Sequence, residues 1–512
     1  MDRTKKALYN SIVVIVSSIV LMGFMLLRTK LIIKYYGEDI NGLIQTVTQV
    51  QTYLLLLESG MCSAYLYRMY KPIANKNNLE ISQLFKGFSL SIKKIAIKML
   101  IVAIIVSLIL PLIIRNSSIR NYNIIFISIL MCLRFIIPYF YSIVPQYMLN
   151  LKELKYKTEI VLFIRESLTY LLEIILILKK YNILIVLLIG ILMNIIFTFI
   201  FRRFMKYEYR GIILNNVDSN LEPTSMTGDI LVHQISRLVF NSTDNIILSS
   251  FTSLSTVGIY SSYNMIVSNG INIINKVIEG IRSSLSIKIN NNDKNSYNIF
   301  KQVISLSIFL GNIITCIFIL LINKFIILWL GDSFVLDNIC IILFGVILYQ
   351  SIILPITNIA KDSKGLFKES KWYTILQSII NGITSILLVK KLGIAGVLVG
   401  TVIARGLITL PCNYNLVYRK VFNKKVEIKE FIFSIIFIIF GIASAEKILN
   451  RLFSGISYGW IDFICQAIFV TFYISFSCFF FMYVTDNHFK AFVLKIKKWF
   501  LNYYKLKIKN KK

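Results

Sequence analysis

The chain has 512 residues, 56% of them hydrophobic and 16% charged, with a mean hydropathy of +0.71 and a formal net charge of +31. Soluble globular domains run nearer half apolar with about a quarter charged, so composition excludes that class and indicates a polytopic membrane protein. The charge invites a nucleic-acid reading, but its placement argues against one. About 38 of the 56 Lys and Arg fall on one side of an alternating topology, about 11 on the other and about 7 within spans, and the rich side is the cytoplasm.

A helical span needs about 20 apolar residues, and roughly fourteen runs qualify. They lie near 10–33, 41–66, 93–115, 121–149, 158–178, 181–204, 228–251, 258–288, 298–323, 336–360, 366–389, 394–417, 430–449 and 460–484. Long continuous runs favour an all-α bundle over a barrel of short alternating strands. Both termini are then expected inside, with no cleavable signal in the full-length first run.

In chain order, the first run ends at Arg28, and the loop 34–43 leads into a second run that carries Glu58. The cytoplasmic segment Leu79 to Phe88 has helical spacing and reads either as an interfacial helix or as an extension of the third span. Arg134, Pro138 and Pro145 fall in the fourth run, and Arg165, Glu166 and Glu173 in the fifth. A polar stretch, Lys206 to Gly228, reads as a linker.

Arg237, Asn241 and Asp244 in the seventh run are spaced by four and three, which places them on one helical face. Asp244, Asn241 and a hydroxyl are hard oxygen ligands suited to Na⁺ or to proton relay. His233 near the start of that span reads as an interfacial residue. Lys276, Glu279 and Arg282 recur every three residues on the eighth run beside Asn269, Asn272 and Asn275. That stripe either lines water or forms an ion-pair ladder, and both leave an excess of positive charge. Pro355 and Pro411 interrupt the tenth and twelfth runs, and Arg405 lies within the twelfth. Gly393, Gly396 and Gly400 suit close helix packing, since no strand precedes them.

Arg28 to Gly42 and Asp244 to Gly258 are equal steps at an offset of about 216 residues, as a duplicated bundle would leave. The expected organisation is a six-helix bundle at 1–210, a second at 225–420, two further helices at 430–484, and a basic cytoplasmic tail at 485–512 that touches anionic lipids.

Each ionisable group at membrane depth costs at least about 2.5 kcal/mol and usually faces an interior or a cavity. Of the twelve in the two bundles seven are basic and five acidic, so a shared lumen would be cationic. Catalysis finds no support: there is no phosphate loop or nucleophile elbow, and the chain has two histidines. The seven cysteines show no paired spacing, so neither a zinc site nor a disulfide framework is indicated, and no cofactor is expected.

Asp244 to Leu248 with Val257 to Ser261, Trp329-Leu330-Gly331-Asp332, and Gly365 through Asn381-Gly382 to Gly400-Thr401 resemble a known family. So does Glu58-Ser59-Gly60 with Ala64. The family is that of the bacterial polysaccharide transporters, the Wzx-like oligosaccharide flippases of the MATE-like MOP superfamily. The resemblance implies two six-helix bundles in a V, two extra helices, alternating access and a basic central cavity. It implies an undecaprenyl-diphosphate-linked oligosaccharide as cargo, carried to the outer leaflet of the bacterial plasma membrane. H⁺ or Na⁺ would be the coupling ion, and polymerase and glycosyltransferases of the pathway are possible contacts. Fixed arginines suit a diphosphate. The cargo candidates are therefore Arg28, Arg134, Arg237, Lys276, Arg282 and Arg405, and the ion-coupling candidates Glu58, Asp244, Asn241 and Glu279. A lipid II flippase, a cation or drug antiporter of the same superfamily, and a membrane polymerase or acyltransferase are the competing readings. An antiporter would want an anionic lumen, and an enzyme would be expected to show a large outer loop or a catalytic histidine.

Overall fold

The computed structural model describes residues 3–58, 61–114, 118–152, 154–210, 228–291, 295–453 and 459–509, together with the isolated positions 212, 218 and 293. All regular structure among them is helical, and the chain is an all-α polytopic membrane protein. Most of the expected linker at 206–228 lies outside the described residues.

The helical runs follow the apolar ones closely. α1 (Arg3–Tyr36) turns at Gly37 into α2 (Glu38–Leu54), and α3 (Met61–Ala74) continues after a break. Next come α4 (Asn78–Ile113), α5 (Asn121–Tyr141) with α6 (Ile143–Leu151), α7 (Lys155–Leu178) and α8 (Ile183–Glu208). They are followed by α9 (Gly228–Asn241) with α10 (Asp244–Phe251), α11 (Leu254–Asn290), α12 (Ser296–Leu330), α13 (Asn338–Ser363) and α14 (Phe367–Leu392). α15 (Ile394–Ile403) and α16 (Leu410–Leu416) are joined by a π-helical turn, and α17 (Lys429–Leu452), α18 (Trp460–Thr485) and α19 (Asn487–Lys509) complete the chain.

Among the described residues ten helices are long and apolar enough to cross a membrane. The runs that fall short are the second, fifth, seventh and eighth, which are either broken or laden with charge. Leu112, Ile461 and Phe472 on the others are 84%, 81% and 73% exposed, an apolar surface that suits hydrocarbon rather than water.

Local chemistry explains where helices start and stop. The segment at 79–88 is the beginning of α4, not a separate interfacial helix. Asn77 caps α4 by accepting from the Glu80 backbone N–H at 3.3 Å and donating to its carboxylate at 3.1 Å. The fourth run breaks at Ser142, four residues after Pro138, and Pro145 falls in the first turn of α6, where its missing N–H leaves no bond unmade. Pro355 leaves α13 uninterrupted, whereas Pro411 follows the π turn Ala404–Thr409.

Packing divides the chain into two compact units, Met1–Met265 with Gly382–Val397, and Ile266–Asn381 with Leu398–Lys512. In the first unit α1 packs on α7, α4 on α5, and both α5 and α7 on α8. Tyr65 and Phe88, both fully buried, stack at 5.0 Å in its core. α2 also packs on α10 and the start of α11. Here the glycines equivalent under the sequence offset meet. A Cβ on Gly42 would stand 1.9 Å from the Leu254 carbonyl oxygen, and one on Gly258 3.2 Å from that of Glu38. Asn245 seals the contact, its backbone N–H donating to Gln49 Oε1 at 2.9 Å and its amide to the Gln45 carbonyl at 3.3 Å. In the second unit α12 is the hub, with α13, α17, α18 and α19 around it.

Candidate functional site

The first unit contains a partly buried ionic cluster built from α1, α5 and α7. Glu173 on α7 is fully buried, and both of its oxygens are engaged. Arg28 Nε of α1 donates to Oε2, and Arg134 of α5 donates to Oε1 at 2.6 Å. Arg134 also reaches Glu166 at 3.8 Å, and Glu166 pairs with Arg165 beside it. The Tyr170 ring lies 6.0 Å from the Arg28 guanidinium.

The placement follows from spacing and from space. Glu166, Tyr170 and Glu173 stand at i, i+4 and i+7, one stripe of α7 turned towards α1 and α5. Gly190 on α8 leaves room for Arg134, since a Cβ there would lie 2.5 Å from its Nε. Asn194, one helical turn on, donates to the Arg134 carbonyl at 2.7 Å. Three guanidiniums against two carboxylates leave this partly buried cluster with one excess positive charge.

Arg28 and Arg134 thus come together, but on Glu173, an ionisable residue to which the sequence alone assigned no role. The signal was available in the 166, 170, 173 stripe. Glu58 accepts a hydrogen bond from Tyr139 at 3.1 Å, and the Cys62 thiol lies against it.

The expected shared face of Arg237, Asn241 and Asp244 is divided. Thr243 bonds back to the Val239 carbonyl, and the helix breaks at Ser242 and Thr243. Arg237 and Asn241 stay on α9 and are exposed. Asp244 begins α10, where it is buried and accepts from Tyr260 at 2.6 Å. Glu58 and Asp244 are therefore both held by a tyrosine hydroxyl.

In the second unit Lys276 and Arg282 lie along the uninterrupted α11, as their spacing predicts. Lys276 is exposed, and Arg282 lies 3.7 Å from Asp362 with 42% of its side chain exposed. The side chain of Glu279 lies outside the described residues. Arg405 sits in the π turn, buried, and donates to the Ile347 carbonyl at 3.3 Å and to the Ser351 hydroxyl.

Neither a family model nor a curated protein sequence matches the chain. Solved structures do match its fold. One is the lipid II flippase MurJ in an inward closed conformation, at a TM-score of 0.67 and 15% identity over 92% of this chain and 99% of that one. Another is an inward-facing multidrug resistance MATE family transporter of the MOP superfamily, with a TM-score of 0.62, 12% identity, and 79% and 96% coverage. A third is the MATE multidrug transporter DinF-BH, with a TM-score of 0.59, 14% identity, and 83% and 98% coverage. The chain therefore has the fold shared by MurJ and the MATE transporters of the MOP superfamily.

Proposed function

We propose that the protein is a flippase for undecaprenyl-diphosphate-linked oligosaccharide, carrying it from the cytoplasmic to the outer leaflet of a bacterial plasma membrane by alternating access. The two bundles at 1–210 and 225–420 are the moving parts of this reading, and the helices at 430–484 are its appendage. The observation that carries it is the partly buried cluster of Arg28, Arg134 and Arg165 on Glu166 and Glu173, whose charge excess is positive. A diphosphate at membrane depth needs fixed positive charge, and guanidinium matches its oxygens bidentately. Arg237, Lys276, Arg282 and Arg405 are the other cargo-binding candidates of this reading. Glu58 and Asp244 are its ion-coupling carboxylates, each bonded to a phenol that can follow a change of protonation.

A lipid II flippase is the second reading. It would use the same headgroup chemistry, and it is favoured by the MurJ likeness, which extends over 92% of the chain. A drug antiporter would want an anionic site, contrary to the excess of arginine.

The test is deletion of the gene in its own bacterium, with lipid-linked oligosaccharide measured on each leaflet. Accumulation on the cytoplasmic leaflet, reversed by the intact gene but not by Arg282→Ala at equal membrane abundance, is the expected outcome. Accumulation of lipid II instead would favour the second reading. No accumulation, with altered sensitivity to cationic drugs, would overturn both.

A further inference from the structure

A second charged cluster lies in the other unit, where α12, α17, α19 and the segment before α17 converge. Lys301 of α12 is fully buried, with its ammonium 2.8 Å from Glu427 Oε2, 2.5 Å from Glu430 Oε1 and 3.2 Å from the Tyr418 hydroxyl. Three acceptors match its three N–H bonds, so the lysine is satisfied. The carboxylates are not. Glu430 Oε2 is buried with no partner, and so is Oδ2 of Asp486, a residue 8% exposed. Asp486 Oδ1 caps α19 by accepting from the backbone N–H groups of His488, at 2.8 Å, and Phe489, at 3.2 Å. Glu427, Glu430, Asp486 and His488 all line one cavity of about 200 Å³. Glu427, Glu430 and His488 each offer a ligand atom within 4.8 Å of the others.

Charge accounting points the same way. Three carboxylates against the buried Lys301 ammonium and the exposed Lys429 leave the wall one negative charge in excess, on a chain whose net charge is +31. Burying unpaired carboxylate oxygen is costly unless a proton, a water or a cation serves it.

We infer that this cavity is a divalent metal site of mixed oxygen and nitrogen character, with Glu427, Glu430 and His488 as ligands and Asp486 in the wall beside them. Carboxylate with imidazole is a donor set for Zn²⁺, Mn²⁺ or Co²⁺ rather than for Ca²⁺. The ion clamps the start of α19 to α17, and so holds the basic terminal helix against the membrane-embedded hub. This inference is independent of the transport reading.

Co²⁺ is the probe, because its visible d–d bands report oxygen and nitrogen ligation and a thiolate charge-transfer band would expose binding to any of the seven cysteines. Tag-free full-length protein, stripped with chelator in detergent, should take up one equivalent without that thiolate band, and its melting temperature should rise. Glu427→Gln removes a ligand charge at an exposed position, and affinity should fall about tenfold or more. Glu430→Gln should do the same, while Glu369→Gln in an exposed pair should leave binding unchanged. No stoichiometric uptake, or an equivalent that survives in both ligand variants, would overturn the site and leave the unpartnered oxygens to a shared proton.

Discussion

Glu173 is the residue on which the first unit's electrostatics turn. Its charge is tolerated at full burial because Arg28 and Arg134 each supply a charge-assisted hydrogen bond. Glu173→Gln would strand two guanidiniums, and removing one partner of a buried ion pair costs about 3–5 kcal/mol. Denaturation of the purified protein in detergent should show that loss, whereas Glu369→Gln, in an exposed pair with Lys420, should cost about 0–1 kcal/mol. Equal effects would mean that the cluster is not electrostatically closed. The arginines themselves were legible in the sequence, since charge inside an apolar run is rare. Which carboxylate each would meet was not, because Arg28 and Glu173 are far apart in the chain and only packing of α1 on α7 brings them together.

At the scale of elements, the spans were legible and their interruptions were not. Apolar length is summed over a window, whereas a break such as that at Ser142 or at Ser242 and Thr243 depends on a few local bonds. Hence Asn241 and Asp244, placed on one face by spacing, ended on two helices. The close approach of α2 to the start of α11 gives a test at this scale. Gly42→Ala drives a methyl group into the Leu254 carbonyl and should destabilise by about 1–3 kcal/mol, as overpacking does. Gly23→Ala, in a helix with nothing within 4 Å, should instead stabilise by up to about 1 kcal/mol. Comparing the two variants by thermal unfolding checks the contact, and a neutral Gly42→Ala would refute it.

For the whole molecule, the bias of Lys and Arg predicts orientation. A cysteine replacing Lys425, an exposed position between α16 and α17, should resist an impermeant thiol reagent in intact cells and react once the membrane is opened. A cysteine-free background is needed, because Cys465 is exposed. Ready labelling of intact cells would invert the topology and place both termini outside.

Composition by itself determined the class of this protein. Hydrocarbon admits only segments that satisfy their own backbone bonds, so long apolar runs had to become spanning helices, and charge between them had to lie at the surfaces. Tertiary structure decided which charges meet. Ion pairing acts over a few ångströms and depends on how helices rotate against one another, which no local pattern records. Thus Arg28 and Arg134 share Glu173 while Arg282 faces Asp362, and Lys301, a residue that no motif or spacing singles out, lies at the centre of a cluster drawn from four parts of the chain.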